Sequence, residues 1–251
     1  MGIVTNSLRK IYRLKNLNLE IRPFRNSGSS KFSEILLPNC NYAPWKKDDH
    51  FLRIYNIIRN YTLVDIYRNY ELWDIVGQLA TSIEGNLIEI GVWRGGTAGV
   101  MASKLKEVNS DKKIYLADTF TGVVKASESD TKYVGGEHSD TSEKIVDNLL
   151  SNTLGLRNFE ILKGIFPEDS SHLIEDQKFC FCHIDVDVYL SCKDIMEWIW
   201  PKLSIGGVVV YDDYGFTDTD GVIKFVEEEK LKKDRLITYN LNGHAVMIKL
   251  K

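Results

Sequence analysis

The chain has 251 residues, of which 43% are hydrophobic and 27% charged, the proportions of a soluble globular protein with a full core. This length allows one α/β domain or two small ones. The formal net charge of −3 argues against a general nucleic-acid-binding protein. No apolar run approaches the roughly 20 residues of a membrane-spanning helix, and the N-terminus lacks the apolar core of a signal peptide.

The first forty residues are basic and show no clean periodicity, and residues 26–30 indicate a flexible break. Acidic residues are rare here, whereas the basic residues are Arg9, Lys10, Arg13, Lys15, Arg22, Arg25 and Lys31. This segment could bind an anionic substrate or a membrane surface, but we favour a solvated, partly ordered arm.

The cysteines favour a reducing environment and no metal site. The four cysteines show no C-x-x-C spacing. Cys180 and Cys182 lie two positions apart in an apolar strand, so we expect them to pack on one face as small hydrophobic residues. A metal site formed with His183 is disfavoured, and we expect a cytoplasmic location.

Before the first strand, the apolar spacing predicts two helices, one from His50 to about Asn60 and one from after Thr62 to Leu79. This segment is rich in aromatic residues. We expect most of them to form a helix–helix core, and some to line a substrate mouth or a subunit contact. A homo-oligomer is therefore compatible with the sequence.

From residue 87 onward, short apolar strands alternate with helices. We predict strands at Leu87–Ile90, Lys113–Asp118, Phe159–Lys163, Phe179–Asp185 and Gly207–Tyr211, and a hairpin of Leu236–Tyr239 and Ala245–Leu250. The predicted helices are Thr97–Val108, Thr141–Leu150, Leu190–Leu203 and Val222–Lys230. This alternation predicts an α/β fold with a doubly wound, mostly parallel seven-stranded sheet. A C-terminal hairpin on such a sheet is typical of class I methyltransferases.

A glycine turn follows the first strand and precedes the helix that begins at Thr97. Gly91, Gly95 and Gly96 would let a ligand approach the backbone at a helix N-terminus. Their spacing is G-x-x-x-G-G, whereas a dinucleotide fingerprint requires G-x-G-x-x-G. We expect Glu89 to lie in this turn. An acid there would repel a pyrophosphate but suits the ammonium and sulfonium of S-adenosylmethionine.

Four of the five central strands end in an acid, and ligands of doubly wound sheets bind beyond these strand ends. Asp118 could accept hydrogen bonds from both ribose hydroxyls of an adenosine-type ligand, or it could be a strand-end turn residue. Gly164, after the third strand, would flank the adenine.

Asp185, Asp212 and Asp213 close adjacent strands and would repel one another unless a cation neutralised them. Oxygen-only ligands favour Mg²⁺ or Ca²⁺. A Mg²⁺ ion could bind two neighbouring substrate hydroxyls and lower the pKa of one, which could then attack the sulfonium methyl. The alternative is that Asp212 and Asp213 cap the following helix or turn. Asp187 is a reserve ligand, and His183, deeper in the strand, favours a core role.

Four segments in order resemble the macrocin O-methyltransferase family, which methylates sugar hydroxyls on macrolides and related natural products. They are Glu89-Ile-Gly-Val-Trp-Arg-Gly-Gly96, Ala117-Asp-Thr-Phe-Thr-Gly122, His183-Ile-Asp-Val-Asp-Val-Tyr189 and Trp200-Pro-Lys-Leu-Ser-Ile-Gly-Gly-Val-Val-Val-Tyr-Asp-Asp-Tyr214. The resemblance implies S-adenosylmethionine as methyl donor and a sugar acceptor. It also implies Mg²⁺ held by Asp185, Asp212 and Asp213, with Asp185 doubling as general base.

The resemblance places the donor around the first glycine turn, with Thr62 and Arg68 reaching its methionine end. The candidate donor-binding residues are Thr62, Glu89, Gly91, Arg94, Gly95, Gly96, Thr97, Asp118, Thr119 and Gly164. His183 departs from the family, which commonly has Arg there. His138, in the long polar loop, could face the acceptor or be a solvated loop residue.

We therefore expect residues 1–80 to form an arm and helical lid, and residues 81–251 to form the S-adenosylmethionine-binding domain. Two rival interpretations stay open. A nicotinamide-dependent oxidoreductase is compatible with Asp118 but not with the glycine spacing. A catalytically inactive binding domain is compatible with the fold alone.

Overall fold

The computed structural model describes residue 36 and residues 40–251, the latter lying within one compact unit. The predicted basic segment and flexible break fall mainly within residues 1–35, outside the described residues. In the described part of the chain, no helix combines the length and apolar character needed to cross a membrane.

Within residues 40–251, two α-helices precede the sheet, as the apolar spacing predicts: α1 (Asp49–Ile58) and α2 (Ile66–Ser82). The Asp48 carboxylate joins them. One oxygen caps α1 by accepting from the Phe51 amide at 2.8 Å, and the other accepts from the Trp73 indole at 2.9 Å. A capping residue that also binds a second helix fixes the angle at which the two helices meet.

The sheet has seven strands: β1 (Asn86–Ile90), β2 (Ile114–Asp118), β3 (Phe159–Lys163), β4 (Phe179–Ile184), β5 (Leu203–Tyr211), β6 (Arg235–Tyr239) and β7 (Ala245–Lys249). The later helices are α3 (Gly96–Glu107), α4 (Glu143–Asp147, continued by a π-helical turn, Asn148–Thr153), α5 (Tyr189–Ile199) and α6 (Asp220–Glu229). The strand order is β3-β2-β1-β4-β5-β7-β6, and β7 runs opposite to the other six strands of this sheet. The predicted doubly wound sheet with a C-terminal hairpin is confirmed.

The largest boundary difference lies between α5 and β5. The helix predicted to reach Leu203 ends at Ile199 and gives way to a 3-10 turn that contains Pro201, a residue that interrupts α-helical hydrogen bonding. Leu203 instead begins β5, four positions before the predicted start. Gly206, with φ of +78°, allows the irregular register by which this longer strand pairs with β4.

Successive side chains of the central strands alternate between two apolar layers. One layer lies under α1, α2 and α3 and includes Leu87 and Val210; the other lies under α5 and α6 and includes Ile88 and Tyr211. The expectation that Cys180 and Cys182 share a face is wrong, since they belong to different layers. The register shift between β4 and its neighbours at residues 179–181 accounts for this.

The strand register determines which residues meet at the carboxyl edge of the sheet. Glu89 of β1 pairs with His183 of β4, and Tyr211 of β5 pairs with Ala245 of β7. The residue after β5, Asp212, therefore lies opposite the residue before β7, His244. Long-range pairing thus gathers polar side chains from four strands at one edge.

Candidate active site

The turn between β1 and α3 is closely packed against other backbone segments. Gly91 has φ of +87°, and a Cβ there would lie 1.7 Å from the Asp185 carbonyl oxygen. A Cβ on Gly96 would lie 2.6 Å from the Thr62 Cβ, and the Gly96 amide donates to the Tyr61 carbonyl at 3.0 Å. These glycines bring the end of β4 and the segment before α2 directly against the turn.

Asp118, at the end of β2, holds this turn through its carboxylate. Oδ2 accepts from the Val92 and Trp93 amides at 2.7 and 2.8 Å, and Oδ1 accepts from the Phe120 amide at 2.6 Å. Oδ2 thus uses both of its lone pairs, whereas Oδ1 has capacity for one further donor. Asp118 therefore serves as a turn residue, and its contact with a ribose stays a prediction.

Three further donor-binding candidates adjoin the same turn. Thr97 is buried at the start of α3. The Thr119 hydroxyl donates to the Gly122 carbonyl at 2.9 Å, and the Gly164 amide donates to the Asp118 carbonyl at 3.0 Å. Their backbone contacts place all three at the carboxyl ends of β1 to β3, and their binding roles stay predictions.

Arg94 lies at the exposed side of the turn. Its guanidinium binds the Asp140 carboxylate at 2.5 Å and stacks over the Trp93 ring at 4.5 Å from the centroid. A third of the Arg94 side chain is exposed to solvent (33%). Arg94 thus links the glycine turn to the long polar loop before α4.

Glu89 lies inside β1 and not in the turn, because pairing of β1 with β2 and β4 extends to Ile90. The side chain is fully buried. Its Oε1 accepts from His183 Nδ1 at 2.8 Å, whereas its Oε2 has no hydrogen-bond partner among the described residues. A buried carboxylate oxygen without a donor is costly, and it fits a cationic ligand at this edge.

Asp185, Asp212 and Asp213 are brought together at the carboxyl edge. Each offers an oxygen, and these oxygens all lie within 4.8 Å of one another. The Asp187 amide donates to Asp213 Oδ2 at 3.3 Å, so Asp187 adjoins the cluster. The three residues expected to hold a metal are therefore neighbours in space, and metal binding itself stays a prediction.

The cluster carries more negative charge than its surroundings balance. Burial raises the pKa of Asp185 well above its ordinary value, and the charges of Asp212 and Asp213 raise it further. Burial likewise raises the pKa of Asp213, with Asp187 and Asp212 adding to the effect. Closely spaced carboxylates of this kind fit a divalent cation that prefers oxygen ligands, such as Mg²⁺.

Asp212 differs from its neighbours because basic side chains surround it. Arg68 donates to Asp212 Oδ2 and, through Nε, to Asp65 at 2.9 Å. His244 Nε2 is 2.9 Å from Asp212 Oδ1, whereas His183 Nε2 is 3.7 Å away, beyond hydrogen-bonding distance. Burial alone would raise the pKa of Asp212, but these partners hold it well below its ordinary value.

The two histidines are each fixed by a second carboxylate. His183 Nδ1 binds Glu89, and His244 Nδ1 lies 2.5 Å from Glu71 of α2. Burial lowers the pKa of His183, but Asp212 and Glu89 outweigh that effect and raise it to about 10. His183 thus lies in the core, as expected, and it also lies beside Glu89 and Asp212.

Sequence reasoning missed Glu71 and His244. A signal for His244 was present in the C-terminal hairpin, because the residue before β7 faces the residue after β5 once those strands are known to pair. Tyr133 was missed as well. Burial raises the pKa of Tyr133 and the charge of Asp187 raises it further, and the Tyr133 ring lies 6.2 Å from that of His138, which places part of the long polar loop near the acid cluster.

Solved O-methyltransferase structures share this fold. The O-methyltransferase NovP matches with a TM-score of 0.65 and 22% identity, covering 76% of this chain and 83% of that one. The calicheamicin methyltransferase CalS11 matches with a TM-score of 0.62 and 15% identity, covering 83% and 94%. At these identities the likeness concerns the fold.

Among curated proteins, demethyldecarbamoylnovobiocin O-methyltransferase of Streptomyces niveus is 29% identical over 152 residues, which cover 56% of each protein. Mycinamicin III 3''-O-methyltransferase of Micromonospora griseorubida is 27% identical over 147 residues, covering 54% of this chain and 58% of the relative. The chain thus spans about half the length of the curated relatives it matches.

A family model described as Macrocin-O-methyltransferase (TylF) matches residues 58–244. The match includes α2, the glycine turn, the acid cluster and the residue that precedes β7. Because it covers most of the chain, it identifies the family. The protein belongs to the macrocin O-methyltransferase family.

Proposed function

We propose that this protein transfers a methyl group from S-adenosylmethionine to a sugar hydroxyl, with Mg²⁺, on a glycosylated natural product, a glycan or a nucleotide sugar. One observation carries the proposal: the glycine turn and the acid cluster touch through Gly91 and the Asp185 carbonyl. A donor at the turn and a cation at the cluster would therefore be neighbours. Relatives named for methylating a novobiocin precursor and mycinamicin III support a sugar acceptor.

On the donor side, the chain offers groups that suit S-adenosylmethionine, which supplies an electrophilic methyl group when bound. The free Glu89 oxygen would accept from the ammonium, and the first turn of α3 offers amide donors from Thr97 onward. Asp118 would accept from the ribose hydroxyls, with Gly164 beside the adenine. Thr62, Arg94, Gly95 and Thr119 complete the proposed set.

On the acceptor side, Asp185, Asp212 and Asp213 would hold Mg²⁺, which supplies Lewis acidity toward two neighbouring hydroxyls. Asp185 would also act as general base and accept the hydroxyl proton. Tyr133, whose hydroxyl lies near enough to Asp187 for the charge of Asp187 to raise its pKa, would help to cover the site and exclude water.

We further propose that residues 1–80 act as an arm and lid, and residues 81–251 as the donor-binding domain. Arg68 on α2 supports a role for the lid in the site, since it donates to Asp212. Thr62 supports it as well, because its Cβ lies against Gly96.

The test is methyl transfer from labelled S-adenosylmethionine to a panel of glycosylated acceptors, with product mass read by mass spectrometry. We expect addition of one methyl group, and a loss of at least about 100-fold in kcat/KM with EDTA or with Asp213→Asn. Asp111→Asn, at an exposed position, is the matched control. Full turnover in EDTA would remove the metal from the proposal, and failure to bind S-adenosylmethionine would overturn the donor assignment.

A further inference from the structure

Two buried histidines share one arrangement around Asp212. Each has its Nδ1 on a carboxylate, His183 on Glu89 at 2.8 Å and His244 on Glu71 at 2.5 Å. The Nε2 atoms of both approach the same oxygen, Asp212 Oδ1, at 3.7 and 2.9 Å. A carboxylate on one ring nitrogen is the usual support of a histidine whose other nitrogen binds a metal.

The spacing of the three inner atoms suits a small ion. Ligand atoms about 2.1 Å from a tetrahedral metal lie about 3.4 Å apart. The two distances from Asp212 Oδ1 lie on either side of this value, and all three ligand atoms fall within 4.8 Å of one another. Shifts of about 0.5 Å would therefore bring both distances from Asp212 Oδ1 to the tetrahedral value.

A buried nitrogen without a partner indicates a ligand at this position. His183 and His244 are fully buried, and His183 Nε2 has no hydrogen-bond partner among the described residues. A buried polar atom left without a partner costs free energy, and a cation bound here would give this nitrogen a partner.

We propose that His183, Asp212 and His244 form a binding site for a borderline divalent ion such as Zn²⁺. Imidazole nitrogens suit Zn²⁺, whereas the oxygen-only set of Asp185, Asp212 and Asp213 suits Mg²⁺. Three protein ligands leave one tetrahedral position for water. Asp212 belongs to both sets, so the two sets form adjoining positions for unlike cations.

The first test is anomalous diffraction at the zinc edge from crystals of the protein soaked with Zn²⁺, without methyl donor or acceptor. We expect a peak bonded to His183 Nε2, His244 Nε2 and an Asp212 oxygen. A zinc peak bonded only to Asp185 and Asp213, or no zinc peak at the carboxyl edge of the sheet, would overturn the proposal. The result is independent of methyl transfer, so it stands or fails separately from the proposed function.

The second test is calorimetric titration of the protein with Zn²⁺. His183→Asn and His244→Asn each keep a donor in the Nδ1 position but remove Nε2. We expect each to weaken Zn²⁺ affinity at least about 100-fold, and Glu71→Gln, which alters only a supporting carboxylate, about 10- to 100-fold. Asp213→Asn, outside the set, should change it less than about threefold. Equal Zn²⁺ affinities for wild type and both histidine variants would overturn the proposal.

Discussion

At the carboxyl edge of the sheet, the acids at the ends of β1–β3 and the acids at the ends of β4–β7 are bound by different kinds of groups. Asp118, on the β1–β3 half, is held by three backbone amides, two of them in the neighbouring turn. Asp212, on the β4–β7 half, is held by Arg68 and His244, which lie 144 and 32 positions away in the chain. The first carboxylate is satisfied by backbone amides, two of them 25 and 26 positions away, and the second by basic side chains.

This difference determines what each half contributes to stability. Backbone amides are present whatever the side chains are, so a carboxylate that they bind loses little when a neighbouring side chain changes. A buried carboxylate that depends on a few charged side chains is left uncompensated when one is removed. The β4–β7 half should therefore be the more sensitive to substitution.

The largest effect is expected for Arg68→Met, which would leave the buried Asp212 carboxylate without its guanidinium. We expect a loss of about 3–5 kcal/mol in the free energy of unfolding, measured by urea denaturation at neutral pH. Lys113→Met is the control, because its ion pair with Glu160 is exposed and should contribute less than about 1 kcal/mol. Equal losses for the two variants would remove the contrast between the halves.

His183→Asn tests the same half through pH. The folded pKa of His183, about 10, exceeds the ordinary value because Asp212 and Glu89 outweigh burial. Its stabilising charge is therefore fully present below about pH 6.5 and lost as pH rises through the folded pKa. We expect the variant to lose about 2–3 kcal/mol near pH 6 in EDTA.

That loss should shrink steadily between about pH 6.5 and pH 10, as followed by chemical denaturation. His172→Asn, at an exposed position, controls for general effects of histidine removal. A difference between wild type and His183→Asn that stays constant over this range would show that the imidazolium charge contributes nothing.

The meeting of Asp185, Asp212 and Asp213 could be predicted because each follows an apolar strand, and parallel strands end at one edge. The predicted first strand ends at Ile90, as β1 does, but the expectation that Glu89 lies in the turn was wrong, because Glu89 pairs with both neighbouring strands. Strand pairing is a tertiary property that the local sequence does not contain.

The partners of Asp212 could not be predicted for the same reason. His244 faces Asp212 only because β7 inserts between β5 and β6, and Glu71 reaches His244 only because α2 packs on that face. The hairpin itself was visible in the sequence, but its place in the strand order was not. Strand ends could thus be predicted from the sequence, whereas the contacts between charged side chains of different elements could not.

Asp118→Ala tests the β1–β3 half. Removing the carboxylate frees the amides of Val92, Trp93 and Phe120, and we expect a loss of about 2 kcal/mol in the free energy of unfolding. Asp118→Asn keeps one acceptor oxygen and should lose about half as much. A loss as large as that of Arg68→Met would show that the two halves are equally sensitive.

The smallest effect on stability is expected for Arg94→Gln, the exposed counterpart of Arg68→Met. Since its pair with Asp140 lies at the surface, the free energy of unfolding should change by less than about 0.5 kcal/mol, and the change should become smaller at high salt.

If Arg94 contacts the methyl donor, the dissociation constant for S-adenosylmethionine should nevertheless rise about tenfold in Arg94→Gln, as measured by calorimetric titration. Lys163→Gln, which loses another exposed pair, should change neither quantity. If donor affinity is unchanged in Arg94→Gln, the role of Arg94 is only to connect the polar loop to the glycine turn. A large loss of stability would instead show that exposed charge pairs also stabilise the β1–β3 half.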